Sequence, residues 1–195
     1  MTVHSRFLEL KRYWHIEIIG GLEKPFSWRR LRQKCKRSNR YAYLFWFRLA
    51  YVMHQSESSF WRRRAKLFNE RLSRTYNVEI MLGAQIGEGL WIAHPTGIVI
   101  SGYAVIGKHF KVWQSCTIGV KNESDEKRIV IGDNVKLFAH SCIIGDDLII
   151  GNNVTIGAAS FVNKNISGNC TYITRKEAVI KATDERSEFY TGIIV

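Results

Sequence analysis

The sequence predicts a coil built from a six-residue repeat, carried behind a basic helical region, and three observations lead there. The spacing of apolar residues changes near Val78 from a helical pattern to a period of six. The charge divides at the same place. Residues 1–77 hold 18 Lys/Arg against 5 Asp/Glu, and the rest 11 against 12, which marks two units with different surroundings. Gly-Asp-Asn at Gly132–Asn134 and Gly-Asn-Asn at Gly151–Asn153 supply residue types that take left-handed corners at little cost.

Between Pro25 and about Tyr76 few residues punctuate the chain, and apolar and basic side chains alternate at helical spacing. Ser27 is the expected N-cap of a helix over Trp28–Lys36. Tyr43, Phe47 and Tyr51 share one face of a second helix ending near His54, and a third begins at Ser58 or Ser59. The whole of 1–77 is read as one helical region.

The repeat runs Ile80, Ile86, Ile92, Ile98, then slips by two residues to Ile100, Ile106, Val112, Ile118. After an irregular stretch it resumes at Ile131 and Leu137. A one-residue slip then gives Ile144, Ile150, Ile156 and Val162. Each hexad supplies a short strand and a corner, with one aliphatic side chain pointing into a narrow core. Modest side chains such as Thr96, Cys116, Ser141, Val154 and Ser160 recur at the fifth position and leave it room. The expected coil spans 78–167, interrupted by a protruding polar loop over 120–130, and 168–195 forms a C-terminal extension.

A hydrophobic fraction of 46% argues for a packed core rather than a disordered chain. Cys35, Cys116, Cys142 and Cys170 form no CxxC pair, so reduced thiols in cytosol are expected. Charges break up the N-terminal stretch, and no signal peptide is read there. The apolar run Tyr41–Met53 contains Arg48 and is shorter than the roughly 20 residues of a membrane span. The basic region could rest on an anionic membrane surface or serve as a solvated helical cap. No recognised module accompanies the charge, so nucleic-acid binding is not expected.

The segment Ile86-Gly-Glu-Gly-Leu-Trp-Ile-Ala-His94-Pro-Thr-Gly-Ile-Val-Ile, followed by the two-residue slip, resembles the hexapeptide-repeat acyltransferases around their catalytic histidine. Within them the serine acetyltransferase branch is the nearest, especially its polysaccharide, colanic-acid-type O-acetyltransferases. The likeness covers about Tyr76 to Ser167. It implies a left-handed parallel β-helix, trimers with active sites shared between subunits, and acetyl-coenzyme A as acyl donor.

Acetyl transfer from a thioester to an alcohol needs a base for the hydroxyl proton, and His94 is the expected general base. An imidazole with an ordinary pKa of about 6.5 is largely neutral near pH 7. The resemblance matches Glu79, 15 residues earlier, to an acidic residue that orients the histidine. An ordinary solvated glutamate is the other reading. It matches Gly119, Ala139 and Ala158 to positions whose main chain meets the coenzyme, although each also suits a tight corner.

Three departures bear on the acceptor. Ala93 stands where serine acetyltransferases carry an aspartate; the 120–130 loop has no histidine, with Lys127 and Arg128 near the place where theirs is found; and the N-terminal helical segment is much shorter than theirs. These point to a saccharide hydroxyl of a bacterial surface or capsular polysaccharide, with Lys127 and Arg128 as acceptor contacts. Serine O-acetylation and a non-catalytic β-helical scaffold are the alternatives. His94, His109 and His140 are too far apart in sequence for the three-histidine zinc site of other proteins with this fold, so no metal is expected.

Overall fold

The computed structural model describes residues 3–122, 128–175 and 177. Helix α1 (Val3–Trp14), which the sequence pattern did not single out, passes into a π-helical turn over His15–Ile19. Gly20, at φ +104°, closes that turn by donating its N–H to the His15 carbonyl. Helix α2 (Trp28–Arg37) starts as expected, with the Ser27 hydroxyl accepting the Arg30 N–H at 3.3 Å. Helix α3 (Asn39–His54) buries Tyr43, Phe47 and Tyr51 together, and α4 (Ser59–Tyr76) packs against it.

Fourteen strands among the described residues then wind into three parallel sheets. The first holds β1 (Val78–Ile80), β4 (Ile98–Ile100), β7 (Thr117–Gly119), β10 (Cys142–Ile144) and β13 (Phe161–Val162). The second holds β2 (Gln85–Ile86), β5 (Ala104–Ile106), β8 (Ile129–Ile131) and β11 (Leu148–Ile150). The third holds β3 (Trp91–Ile92), β6 (Lys111–Val112), β9 (Lys136–Leu137), β12 (Thr155–Ile156) and β14 (Thr171–Tyr172). Through β13 each strand pairs with the strand three further along the chain, so each coil gives one strand to each side of a triangular prism, and β14 closes the third sheet against β12.

The hexad residues fill the prism. Ile80, Ile92, Ile98, Ile100, Val112, Ile118, Leu137, Ile156 and Val162 are each fully buried. Glycines at the ends of the second-sheet strands explain the aliphatic-Gly signature. A Cβ on Gly107 would lie 2.8 Å from the Gly132 carbonyl carbon, and one on Gly132 would lie 2.8 Å from the Asn152 nitrogen. Only glycine lets successive coils close to strand spacing there. At the next corner His109, Asn134, Asn153 and Asn169 stack at φ between +57° and +61°, with Asn153 bridging Asn134 and Asn169 side chain to side chain.

Three boundaries differ from the sequence reading. The one-residue slip falls between Ile143 and Ile150, not between Leu137 and Ile144: Ile143 is the buried partner of Ile118, and the extra residue lies in the corner at Asp147, at φ +55°. The polar loop ends before Ile129, whose side chain is fully buried at the start of β8. The coil continues beyond Ser167, because β14 pairs with β12.

Candidate active site

The two-residue slip is the feature that makes a site. Ala93 donates to the Val112 carbonyl and Ser115 donates to the Thr96 carbonyl, so Ala93 stands level with Trp113 and Gly97 level with Ser115. On the next coil one residue, Gln114, separates Trp113 from Ser115, whereas three lie between Ala93 and Gly97. Pro95 and Thr96 are therefore the extra pair. Gly97, at φ +64°, and the Thr96 N–H donated to the His94 carbonyl at 2.9 Å close a widened corner that leaves the His94 side chain exposed.

The same edge of the prism carries Gln114–Ser115, Ala139–His140 and Ala158–Ala159, tied by His140 N–H to Gln114 carbonyl and Ala159 N–H to Ala139 carbonyl. With about 4.8 Å per coil, Ala139 and Ala158 lie roughly 10 and 14 Å along that edge from the His94 level. Gly119 lies apart, at the far end of β7. The nearest group to a Cβ placed on it is Thr117 Cγ2 at 3.9 Å, so its missing side chain leaves open space. All three positions carry at most a methyl side chain. His109 sits on a different edge.

Glu79 is brought to the right end of the coil but not onto His94. The Gly97 N–H reaches the Asn77 carbonyl at 2.6 Å, which sets the start of β1 under the His94 corner. Among the described residues neither Glu79 nor His94 has a side-chain hydrogen bond or ion pair, so the expected orienting contact is not formed. Glu79 opens instead into a cleft of about 700 Å³ between α4 and the first coils, which includes Lys66, Glu70, Arg74, His54 and Tyr103. Partial burial, with Lys66 and Arg62 nearby, lowers the His54 pKa.

One stem of the loop comes near Tyr103, a lining residue of this cleft. Asp146 accepts the Lys121 and Asn122 N–H groups, and Asp147 accepts the Arg128 N–H at 3.3 Å. The Arg128 guanidinium lies 5.7 Å from the Tyr103 ring centre. Lys127 lies outside the described residues.

A buried ion pair, which sequence reasoning missed, holds the helical region to the coil. Arg48 and Glu17 have fully buried side chains with an N···O separation of 2.6 Å. Arg48 also donates to the carbonyls of Ile86 and Gly87, while Glu17 accepts the N–H groups of Gly89 and Leu90. The one available signal was an arginine inside an apolar helical run. Outside it, Arg12 and Lys108 both reach Glu88; the Arg12 hydrogen bond is the larger cause holding that carboxyl down at about 2. All four cysteines are free, and burial pushes the Cys116 and Cys35 thiols up. Among the described residues no group of three or more His, Cys, Asp or Glu could hold a metal ion.

The fold is the left-handed parallel β-helix with an N-terminal helical region, as its likeness to solved structures shows. A serine acetyltransferase isoform of Entamoeba histolytica in complex with cysteine matches with a TM-score of 0.72 at 24% identity, over 93% of this chain and 63% of that one. The Neisseria gonorrhoeae serine acetyltransferase in complex with serine matches with a TM-score of 0.65 at 23% identity, over 86% and 65%. A serine acetyltransferase in complex with CoA gives 0.60 at 22%, over 69% and 54%.

In sequence, the chain is 34% identical to the serine acetyltransferase of Synechococcus elongatus over 97 residues, 49% of this chain and 39% of that protein. It is 36% identical to that of Staphylococcus epidermidis over 118 residues, 60% and 55%. The chain thus spans well under two thirds of either relative. No family model matches it.

Proposed function

We propose that this protein is an acetyl-coenzyme A-dependent serine O-acetyltransferase in which His94 is the general base. The observation that carries the reading is the widened corner at Pro95–Thr96, which sets an exposed imidazole on the edge that also bears Ala139 and Ala158. In the reaction His94 takes the proton of the acceptor hydroxyl as its oxygen attacks the thioester carbonyl. The tetrahedral intermediate collapses, the carbon–sulfur bond breaks, and the imidazolium returns the proton to the departing thiolate.

The similarities above are all to serine acetyltransferases, and they support an amino acid in place of the saccharide acceptor expected from the sequence. The cleft supports that change. Lys66 and Arg74 face it together with Glu70 and Glu79, offering both signs of charge to a zwitterion, which a neutral sugar does not require. Ala93 removes one acidic partner, and this cleft supplies others. Glu79 and Arg128 act as acceptor-side groups, and a homotrimer places each site between subunits.

The test is release of free thiol from acetyl-coenzyme A, with wild type and His94→Ala, against L-serine and a panel of oligosaccharides. Turnover of L-serine, lost by at least about a hundredfold in His94→Ala, is the expected result. Turnover of a glycan alone restores the saccharide reading, and activity untouched by His94→Ala refutes the mechanism.

A further inference from the structure

Two apolar grooves lie side by side on the helical region, away from the coil, and share Trp46. The groove between α3 and α4, of about 400 Å³, is lined by Trp46, Trp61 and Leu67 with Arg64 and Arg71 among them. The groove between α2 and α3, of about 430 Å³, is lined by Trp28, Phe45 and Trp46 with Arg32 and Lys36. Trp28, Trp46 and Trp61 are 53%, 41% and 49% exposed, which is costly for such large rings in water. Every charged residue lining either groove is a cation.

We infer that this face is a docking surface for an anionic phospholipid bilayer. Tryptophan suits the boundary of a membrane, where an apolar ring and a polar N–H are both satisfied. Arginine and lysine beside it meet the phosphate groups, each adding about 1 kcal/mol near an anionic surface, or about fivefold in affinity. No helix among the described residues is long and apolar enough to cross a membrane, so the contact lies on the surface. A second copy of the chain fits less well. A twofold contact through this face would set Arg32, Lys36, Arg64 and Arg71 against a partner bearing the same cations. The inference does not rest on acetyl transfer.

Sedimentation of the full chain with phosphatidylcholine vesicles, with and without phosphatidylglycerol, tests it. Binding is expected only to the phosphatidylglycerol vesicles, with a blue shift of tryptophan emission, and falling between 0.1 and 1 M salt as the screening length shortens from about 10 to 3 Å. Arg64→Gln with Arg71→Gln weakens binding by about twenty-fivefold. Trp28→Ser with Trp61→Ser weakens it by tenfold or more, with melting temperatures and circular dichroism showing both variants folded. No binding to phosphatidylglycerol vesicles overturns the inference. So does binding undiminished by the tryptophan pair, or association of copies in light scattering without vesicle binding.

Discussion

Replacing Glu17 by alanine leaves the Arg48 guanidinium buried with no counter-charge and strips the acceptor from two main-chain N–H groups, those of Gly89 and Leu90 at 3.1 and 3.0 Å. Breaking a buried pair from one side costs about 3–5 kcal/mol. Each orphaned N–H adds about 1 kcal/mol, so the total is near 5–7 kcal/mol. At about 2–4 °C per kcal/mol for a chain of this size, the melting temperature falls by roughly 10–25 °C in a thermal scan followed by circular dichroism. Adding Arg48→Met removes the stranded charge and restores part of the loss, because what then remains unpaired is neutral main chain, the Gly89 and Leu90 N–H groups and the Ile86 and Gly87 carbonyls. The link to the site is direct, since Leu90 leads into β3 and the His94 corner. A shift below about 3 °C for Glu17→Ala, or a double variant no more stable than the single one, would refute this account.

Other outcomes follow from the same geometry. Gly132→Ala places a methyl group against the backbone of the next coil and destabilises by about 1–3 kcal/mol, read as a lower denaturant midpoint. Gly119→Ala meets nothing closer than 3.9 Å, so it melts like wild type and instead raises KM for acetyl-coenzyme A about tenfold by crowding the donor. Excising Pro95 and Thr96 makes the first corner as short as its neighbours; the coil still folds, but acetyl transfer drops about a hundredfold or more as His94 is drawn onto the ladder. Glu88, held at about 2 by Arg12 and Lys108, is depressed relative to the unfolded chain. Its contribution, small because the arginine is exposed and screened by solvent, is present above the ordinary carboxylate range and lost as pH falls towards 2. Acid melts of wild type therefore steepen there more than those of Glu88→Gln.

The sequence by itself determined the architecture, because the forces that build it are local and periodic. One aliphatic residue in six, a glycine after it and Asn-rich corners each dictate the geometry of a single strand and turn, and repetition does the rest. The helices over α2, α3 and α4 were legible for the same reason, from a cap at Ser27 and from apolar faces. The local motif singled out His94, and the structure places it exposed at a corner. What the spacing could not place was the consequence of its own irregularities. A slip shows that residues are added, but only the ladder partners, Ala93 with Trp113 and Gly97 with Ser115, show that they widen the corner beneath His94. The second slip was placed one hexad early for the same reason: Ile143 and Ile144 are alike in sequence and differ only in which one faces the core.

Tertiary structure alone decided the contacts between distant residues. Arg48 and Glu17 are 31 positions apart and meet through two elements packed on the first coil. Glu79 left the expected contact with His94 and faced Lys66 and Arg74, because α4 lies across the β1 end of the prism. Such pairings depend on where whole elements come to rest, and that is settled by the packing of faces, which a one-dimensional period does not contain.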